Sequence, residues 1–187
     1  MALYVAHFED DFRRSVGQKG TFLATRWVVT RMKATLIAVG TRVPTWIQDG
    51  YAEFNRRLSP ELRLNLIEID SPKNAKYKTA DARKEEEAAL IVKHIKPGTC
   101  VVALDEKGSR LTSLQFANKI TALSLDFSMI YFVIGGADGL AASFTSKANI
   151  TLSFSNFTFP HMLVRVMLAE QWYRANMLLA GHPYHRE

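Results

Sequence analysis

The chain is predicted to fold as an α/β domain, a parallel sheet with helices on both faces. Three observations carry this. Short apolar runs with strand character alternate with segments of helical periodicity along most of the chain. Met129–Ile134 is apolar throughout and runs straight into Gly135-Gly136, the pattern of a strand covered on both sides. The 187 residues suffice for one sizeable core and do not require two domains.

The elements follow in order. Residues 33–39 read as a first strand entering a turn at Gly40. Thr41 and Pro44 prepare a helix on which Ile47, Tyr51, Phe54 and Leu58 recur at helical spacing. Leu62, Leu64 and Leu66 alternate, which predicts a second strand over 62–69. Residues 70–78 form a polar, basic loop. A helix from about Ala80 carries Ala88, Ile91, Val92 and Ile95 on one face, and Pro97-Gly98 stops it. Residues 100–104 are a strand, and 105–110 a charged turn. Thr112 or Ser113 caps a helix bearing Phe116, Ile120 and Leu123. After the strand 129–134, a short helix near 140–147 leads to a strand at 149–154. The last helix spans roughly 161–180, with Val164, Leu168, Trp172, Ala175 and Leu179 on its apolar face.

Composition narrows the function classes. The net charge of +6 favours a polyanionic partner such as nucleic acid without requiring one. Cys100 is the only cysteine, so neither an internal disulfide nor a cysteine zinc cluster can form. It leads an apolar run and reads as a small buried hydrophobe. No stretch approaches the ~20 apolar residues of a membrane span. A cytoplasmic, reducing setting is expected. Residues 1–31 fit neither a secretory signal nor a transit peptide, since Glu9, Asp10 and Asp11 interrupt them. They are read as an N-terminal extension outside a single functional domain at 32–187.

In a doubly covered parallel sheet, ligands sit at the carboxyl ends of the strands. That directs attention to Leu104-Asp105, to Gly135-Gly136 and to the segment after Phe154. Gly135-Gly136-Ala137-Asp138-Gly139 lets the backbone turn sharply and approach a ligand, but lacks the lysine of a P-loop and the spacing of a dinucleotide site. A plain tight turn explains it as well. The loop Phe154-Ser155-Asn156-Phe157-Thr158-Phe159 offers flat apolar walls and backbone partners to an adenine ring, or else its aromatics are simply core. His161 opens the last helix, whose positive end favours a neutral imidazole; a surface histidine is the plain alternative. Lys73, Lys76, Tyr77, Lys78, Arg83 and Lys84 suit phosphate contact and base stacking, or a solvated face. The terminal Tyr184-His185-Arg186-Glu187 is dense in functional groups where a frayed tail is the default. His182 and His185 are at most half a metal site, and no metal is expected.

Together these segments are far more specific than any one. Leu36–Gly40, Ile134-Gly135-Gly136 with Gly139-Leu140, Leu152–Ser155, Thr158-Phe159-Pro160-His161, Val164-Arg165-Val166, Glu170-Gln171 with Tyr173-Arg174-Ala175, and Tyr184–Glu187 resemble the RlmH family of SPOUT-class methyltransferases. The resemblance runs in order from about Met32 to Glu187. It implies a C-terminal trefoil knot, a homodimer with a site completed across the interface, and S-adenosyl-L-methionine as methyl donor. The implied substrate is N3 of a pseudouridine in large-subunit rRNA on the assembled ribosome. By matching position, Leu104, Gly135 and Phe154, Ser155, Asn156, Phe157, Thr158 and Phe159 would bind the cofactor. His161, Tyr184, His185 and Arg186 would surround the target base, with His161 or His185 taking the N3 proton and Arg186 holding developing charge or a phosphate. No metal is needed, because a sulfonium is already a good leaving group. A catalytically silent RNA- or ribosome-binding protein of the same fold, or a methyltransferase for another RNA, are the competing readings.

Overall fold

The computed structural model describes residues 32–72 and 79–180. Five strands form one all-parallel sheet: β1 Lys33–Val39, β2 Leu64–Ile69, β3 Cys100–Arg110, β4 Met129–Ile134 and β5 Ile150–Ser153, in the order β2-β1-β4-β3-β5. Helices α1 Thr45–Arg56, α2 Ala80–Val92, α3 Ser113–Asp126, α4 Ala142–Thr145 and α5 His161–Leu179 connect and cover them, with a 3-10 turn at Pro60–Leu62 among the described residues.

Side chains alternate across the strands, so the sheet separates two cores. On one face Leu36, Val102 and Phe132 meet Tyr51 of α1, Phe116 of α3, and Leu168 and Trp172 of α5. On the other, Ile37, Ala103 and Val133 meet Ala88 and Ile91 of α2 and Phe144 of α4. The predicted class, a parallel sheet with helices on both faces, is what is observed. Trp172 anchors the first core. It is fully buried, meets Phe132 edge-on at 5.8 Å, and donates its indole N–H to the carbonyl of Leu62 at 2.7 Å. That bond satisfies the one polar atom such a ring brings inside.

Local chemistry explains the element ends. Thr112 caps α3 in a reciprocal capping box with Gln115. Thr79 caps α2, accepting from the amide of Ala82. α2 ends at Val92, short of Pro97-Gly98, and Val92 is 57% exposed rather than part of the buried face. The face toward the sheet contains Glu87, Ala88 and Ile91 instead. Leu62 belongs to the 3-10 turn, so β2 starts at Leu64; Leu66 is exposed because β2 is an edge strand.

The largest departure is at residues 105–110, predicted as a charged turn. β3 continues through them. Its pairing with β4 ends at Leu104–Ile134, but its pairing with β5 resumes after a bulge, so that Leu104 and Ser109 both oppose Leu152. A Cβ on Gly108 would sit 2.4–2.7 Å from the backbone of Leu152, so only glycine admits this return. The charged side chains Asp105, Glu106 and Lys107 stay at the sheet's rim in contact with solvent. Their polarity therefore does not oppose strand geometry.

Candidate active site at the carboxyl edge of the sheet

The carboxyl ends of β3, β4 and β5 open into a cavity of about 650 Å³. Leu104 ends the paired part of β3, Gly135 follows β4, and the loop 154–160 follows β5 into α5. Of the positions expected to bind a cofactor, Leu104, Gly135, Phe154, Ser155, Phe157, Thr158 and Phe159 all line this space. Asn156 does not; it is exposed at the crest of the loop. His161 lines the same cavity. Tyr184, His185 and Arg186 lie outside the described residues, as do Lys73, Lys76, Tyr77 and Lys78.

The glycine turn is shaped by the protein's own atoms. A Cβ on Gly135 would stand 2.4 Å from the carbonyl oxygen of Gly139, and one on Gly136 would stand 2.7 Å from a carboxylate oxygen of Glu87. Gly139 has φ +83°, a conformation that side chains disfavour. The close approach read from these glycines is thus to the chain itself, which folds back tightly enough to leave the cavity beside it open.

The loop 154–160 is ordered by short-range bonds. The Ser153 hydroxyl donates to the Ser155 carbonyl at 2.8 Å, and the Phe157 amide donates to the Ser155 hydroxyl at 2.9 Å. The Thr158 hydroxyl donates to Glu106 at 3.0 Å, tying the loop to the β3 excursion. Phe154 packs against the main core, whereas Phe157 is 77% exposed. The aromatics of this loop are therefore not all core: one faces open space at the cavity mouth.

His161 begins α5 beside the end of β1. Its Nε2 lies 3.6 Å from where a Cβ on Gly40 would be. Burial, and then the charge of Arg165, lower its proton affinity below the ordinary histidine value, while Glu87 partly opposes them. The helix end was the reason expected from sequence; desolvation and Arg165 are the causes found. Neutral imidazole is the resulting form near neutral pH. Arg165 itself is 2% exposed. It pairs with Glu68 at 2.5 Å and donates to the carbonyls of Val39 and Gly40 at 3.2 and 2.5 Å. Cys100 is buried and burial pushes its thiol up to about 11, in keeping with a core residue.

Two buried charges, Glu87 and Arg165, act on His161. Glu87 stands in the run Glu85-Glu86-Glu87, where a solvated face is the plain expectation, yet it is 3% exposed. Its helical phase, one turn before Ile91, was the available signal. Arg165 was quoted as part of a motif without a role. Its helical phase, three residues before Leu168 and seven before Trp172, is the signal here too.

The comparisons agree with this geometry. A family model described as "Predicted SPOUT methyltransferase" matches residues 32–185. A protein of Laribacter hongkongensis named Ribosomal RNA large subunit methyltransferase H is 45% identical over 156 residues, 83% of this chain and 100% of that protein. One of the same name from Herminiimonas arsenicoxydans is 42% identical over 155 residues, 83% of this chain and 99% of that protein. Among solved structures, a probable methyltransferase from Bordetella pertussis aligns with a TM-score of 0.51 at 11% identity, covering 82% of this chain and 98% of that one, a likeness of fold. The resemblance seen in the sequence is borne out: the chain belongs to the SPOUT methyltransferase family, among the proteins named Ribosomal RNA large subunit methyltransferase H.

Proposed function

We propose that this chain transfers the methyl group of S-adenosyl-L-methionine to N3 of a pseudouridine in large-subunit rRNA, acting on the assembled ribosome in the cytoplasm as a homodimer. Family membership and the relatives' name support rRNA methyl transfer. The observation that carries the chemistry is the cavity itself, with a base held neutral on its wall. Its size falls in the range of small-molecule pockets, roughly 300–1,000 Å³. Phe154, Phe157 and Phe159 supply flat apolar surface for an adenine, and the carboxylates of Asp105, Glu106 and Asp138 line the space a cation would enter. The donor set fits the cofactor, which when bound supplies an electrophilic methyl group on a positively charged sulfur.

The protein's own contribution is positional and electrostatic. The Gly135–Gly139 turn and the loop 154–160 hold the donor between them. His161, neutral and next to Gly40, accepts the proton that the target nitrogen must lose. Tyr184, His185 and Arg186 of the partner subunit surround the base, and Arg186 balances the charge that develops on it. Residues 32–187 form the methyltransferase domain, threaded at its C-terminal end, and 1–31 are an extension to it. No helix among the described residues is long and apolar enough to cross a membrane.

The test supplies radiolabelled S-adenosylmethionine with ribosomes lacking the modification, with naked rRNA and with tRNA. Label at the pseudouridine N3 of the ribosomal sample is expected. Label only in tRNA would reassign the substrate, and cofactor binding with no label in any RNA would identify a silent binder. A protein beginning at Met32 is expected to be dimeric and active, which sedimentation and the same assay check.

A further inference from the structure

Helix α2 reaches the cofactor turn at two points and helix α4 at one. Arg83 pairs with Asp138, the Ser143 hydroxyl donates to Glu85 at 2.6 Å, and the backbone N–H of Gly136 donates to Glu87 Oε2 at 3.3 Å. The first two are at the surface. The third is inside: Glu87 is 3% exposed, and its other oxygen accepts from the Ser71 hydroxyl at 2.9 Å. Glu87 thus joins the turn after β4 to Ser71, the second residue beyond β2. It stands directly behind Gly136, whose missing Cβ leaves room for the carboxylate.

A carboxylate this buried costs several kcal/mol of solvation on an order-of-magnitude basis and persists only with compensating partners. Two hydrogen-bond donors are present, and its charge also acts on His161. The buried charges of Arg165, on the same helix, and of Glu87, on α2, act on His161 in opposite senses. Lys84, Asp105, Glu106, Lys107 and Asp138 line the same cavity, and Glu68 partners Arg165.

We propose that Glu87 is a positioning residue of this active site, pinning the Gly136 amide of the cofactor turn with one oxygen, held by Ser71 through the other, and supplying a buried negative charge that opposes that of Arg165 at His161. The inference rests on the cavity being the cofactor site. It assigns two separable tasks to one side chain, which substitutions can divide. Glu87→Gln keeps the shape; its carbonyl accepts from Gly136 while its amide donates to the Ser71 oxygen. The pin survives and the charge is lost. Glu87→Met keeps the volume, loses the charge and leaves the buried Gly136 N–H without an acceptor.

The experiment uses the full chain, with S-adenosylhomocysteine binding by calorimetry and the His161 titration by NMR of its ring carbons. The Gln variant is expected to bind like the parent while its His161 midpoint moves down. The Met variant is expected to bind at least about fivefold more weakly, the equivalent of roughly 1 kcal/mol for one unsatisfied buried donor. An unmoved His161 midpoint in the Gln variant would overturn the electrostatic role. Unchanged affinity in the Met variant, or equal loss in both variants, would overturn the pin. If the Met variant does not fold, the Gln titration still decides the electrostatic half, and Ser71→Ala, expected to weaken binding by loosening the carboxylate, decides the other. Failure of the parent protein to bind S-adenosylhomocysteine would instead strike the functional reading.

Discussion

Replacing Gly135 by alanine tests whether the turn after β4 is held by its own backbone. The added Cβ would lie 2.4 Å from the carbonyl oxygen of Gly139, 2.5 Å from its carbon and 2.9 Å from the amide nitrogen of Leu140. Ordinary contact begins at 3.4 Å, so the Gly139-Leu140 segment must retreat by about 1 Å. No side chain can rotate away to absorb this. Retreat also disturbs the Gly139 N–H bond to the Gly136 carbonyl and lifts Leu140 from the second core. Overpacking of this kind costs ~1–3 kcal/mol, and backbone opposition on three atoms puts Gly135→Ala at the upper end. For a chain of this length that lowers the melting temperature by roughly 6–12 °C. A displacement of that size in a binding turn also reduces turnover on the order of 100-fold. Scanning calorimetry and single-turnover methyl transfer measure the two effects, with S-adenosylhomocysteine titration reporting affinity beside them. Gly98→Ala is the control: φ is +73° with no atom within 4 Å of the new Cβ, so it costs only the backbone term of about 1 kcal/mol. A Gly135→Ala protein no less stable than Gly98→Ala, with unchanged affinity, would refute the reasoning.

Four further outcomes are expected. His161→Gln should lower methyl transfer by ~10²–10⁴-fold while cofactor affinity is kept, by single-turnover kinetics and calorimetry. Because the folded protein holds the His161 value below 6.5, the parent should stay active as pH falls to 6.5 and lose activity only below it. In that same window the unfolded chain takes up the proton first, so parental stability falls with pH and the Gln variant loses less of it. Arg165→Met should destabilise by ~2–3 kcal/mol in urea unfolding, less than the ~3–5 of a fully buried pair, since Glu68 is 36% exposed and regains water. Deleting Tyr184–Glu187 should abolish transfer and leave cofactor affinity intact; equal loss of both would make the tail a structural element.

Much of this fold is legible where one side-chain pattern dominates. Met129–Ile134 is apolar because both faces are covered, and α5 shows Leu168, Trp172 and Ala175 at helical spacing because one stripe enters the core. Thr112 with Gln115 marks a helix start from chemistry local to four residues. The failures have the opposite character. Strand geometry at 105–110 is imposed by pairing with β5, a partner some forty residues on, and the charged sequence carries no trace of it. The strand order depends likewise on which surfaces meet in space. At the site, the position of the loop and the glycine turn follows from the carboxyl-edge rule applied to recognisable strands. Glu87 and Arg165 fall on the buried phase of their helices, but the partners that keep a charge there come from β1, β2 and the turn after β4, which no local pattern specifies.

The placement of Trp172 bears on how the protein comes into being. The ring that fills the centre of the first core, and the loop and histidine that wall the cavity, all come from residues after 149. β5 pairs with β3 across a long stretch of chain, and Trp172 is tied to Leu62 more than a hundred residues earlier. Contacts so distant in sequence form slowly and late. During synthesis, the emerging polypeptide therefore has neither a finished interior nor a place for the methyl donor until its final helix has left the ribosome. Completion and competence arrive together, and a chain cut short before α5 carries most of the cavity's lining residues without Trp172 and the core that hold them in place.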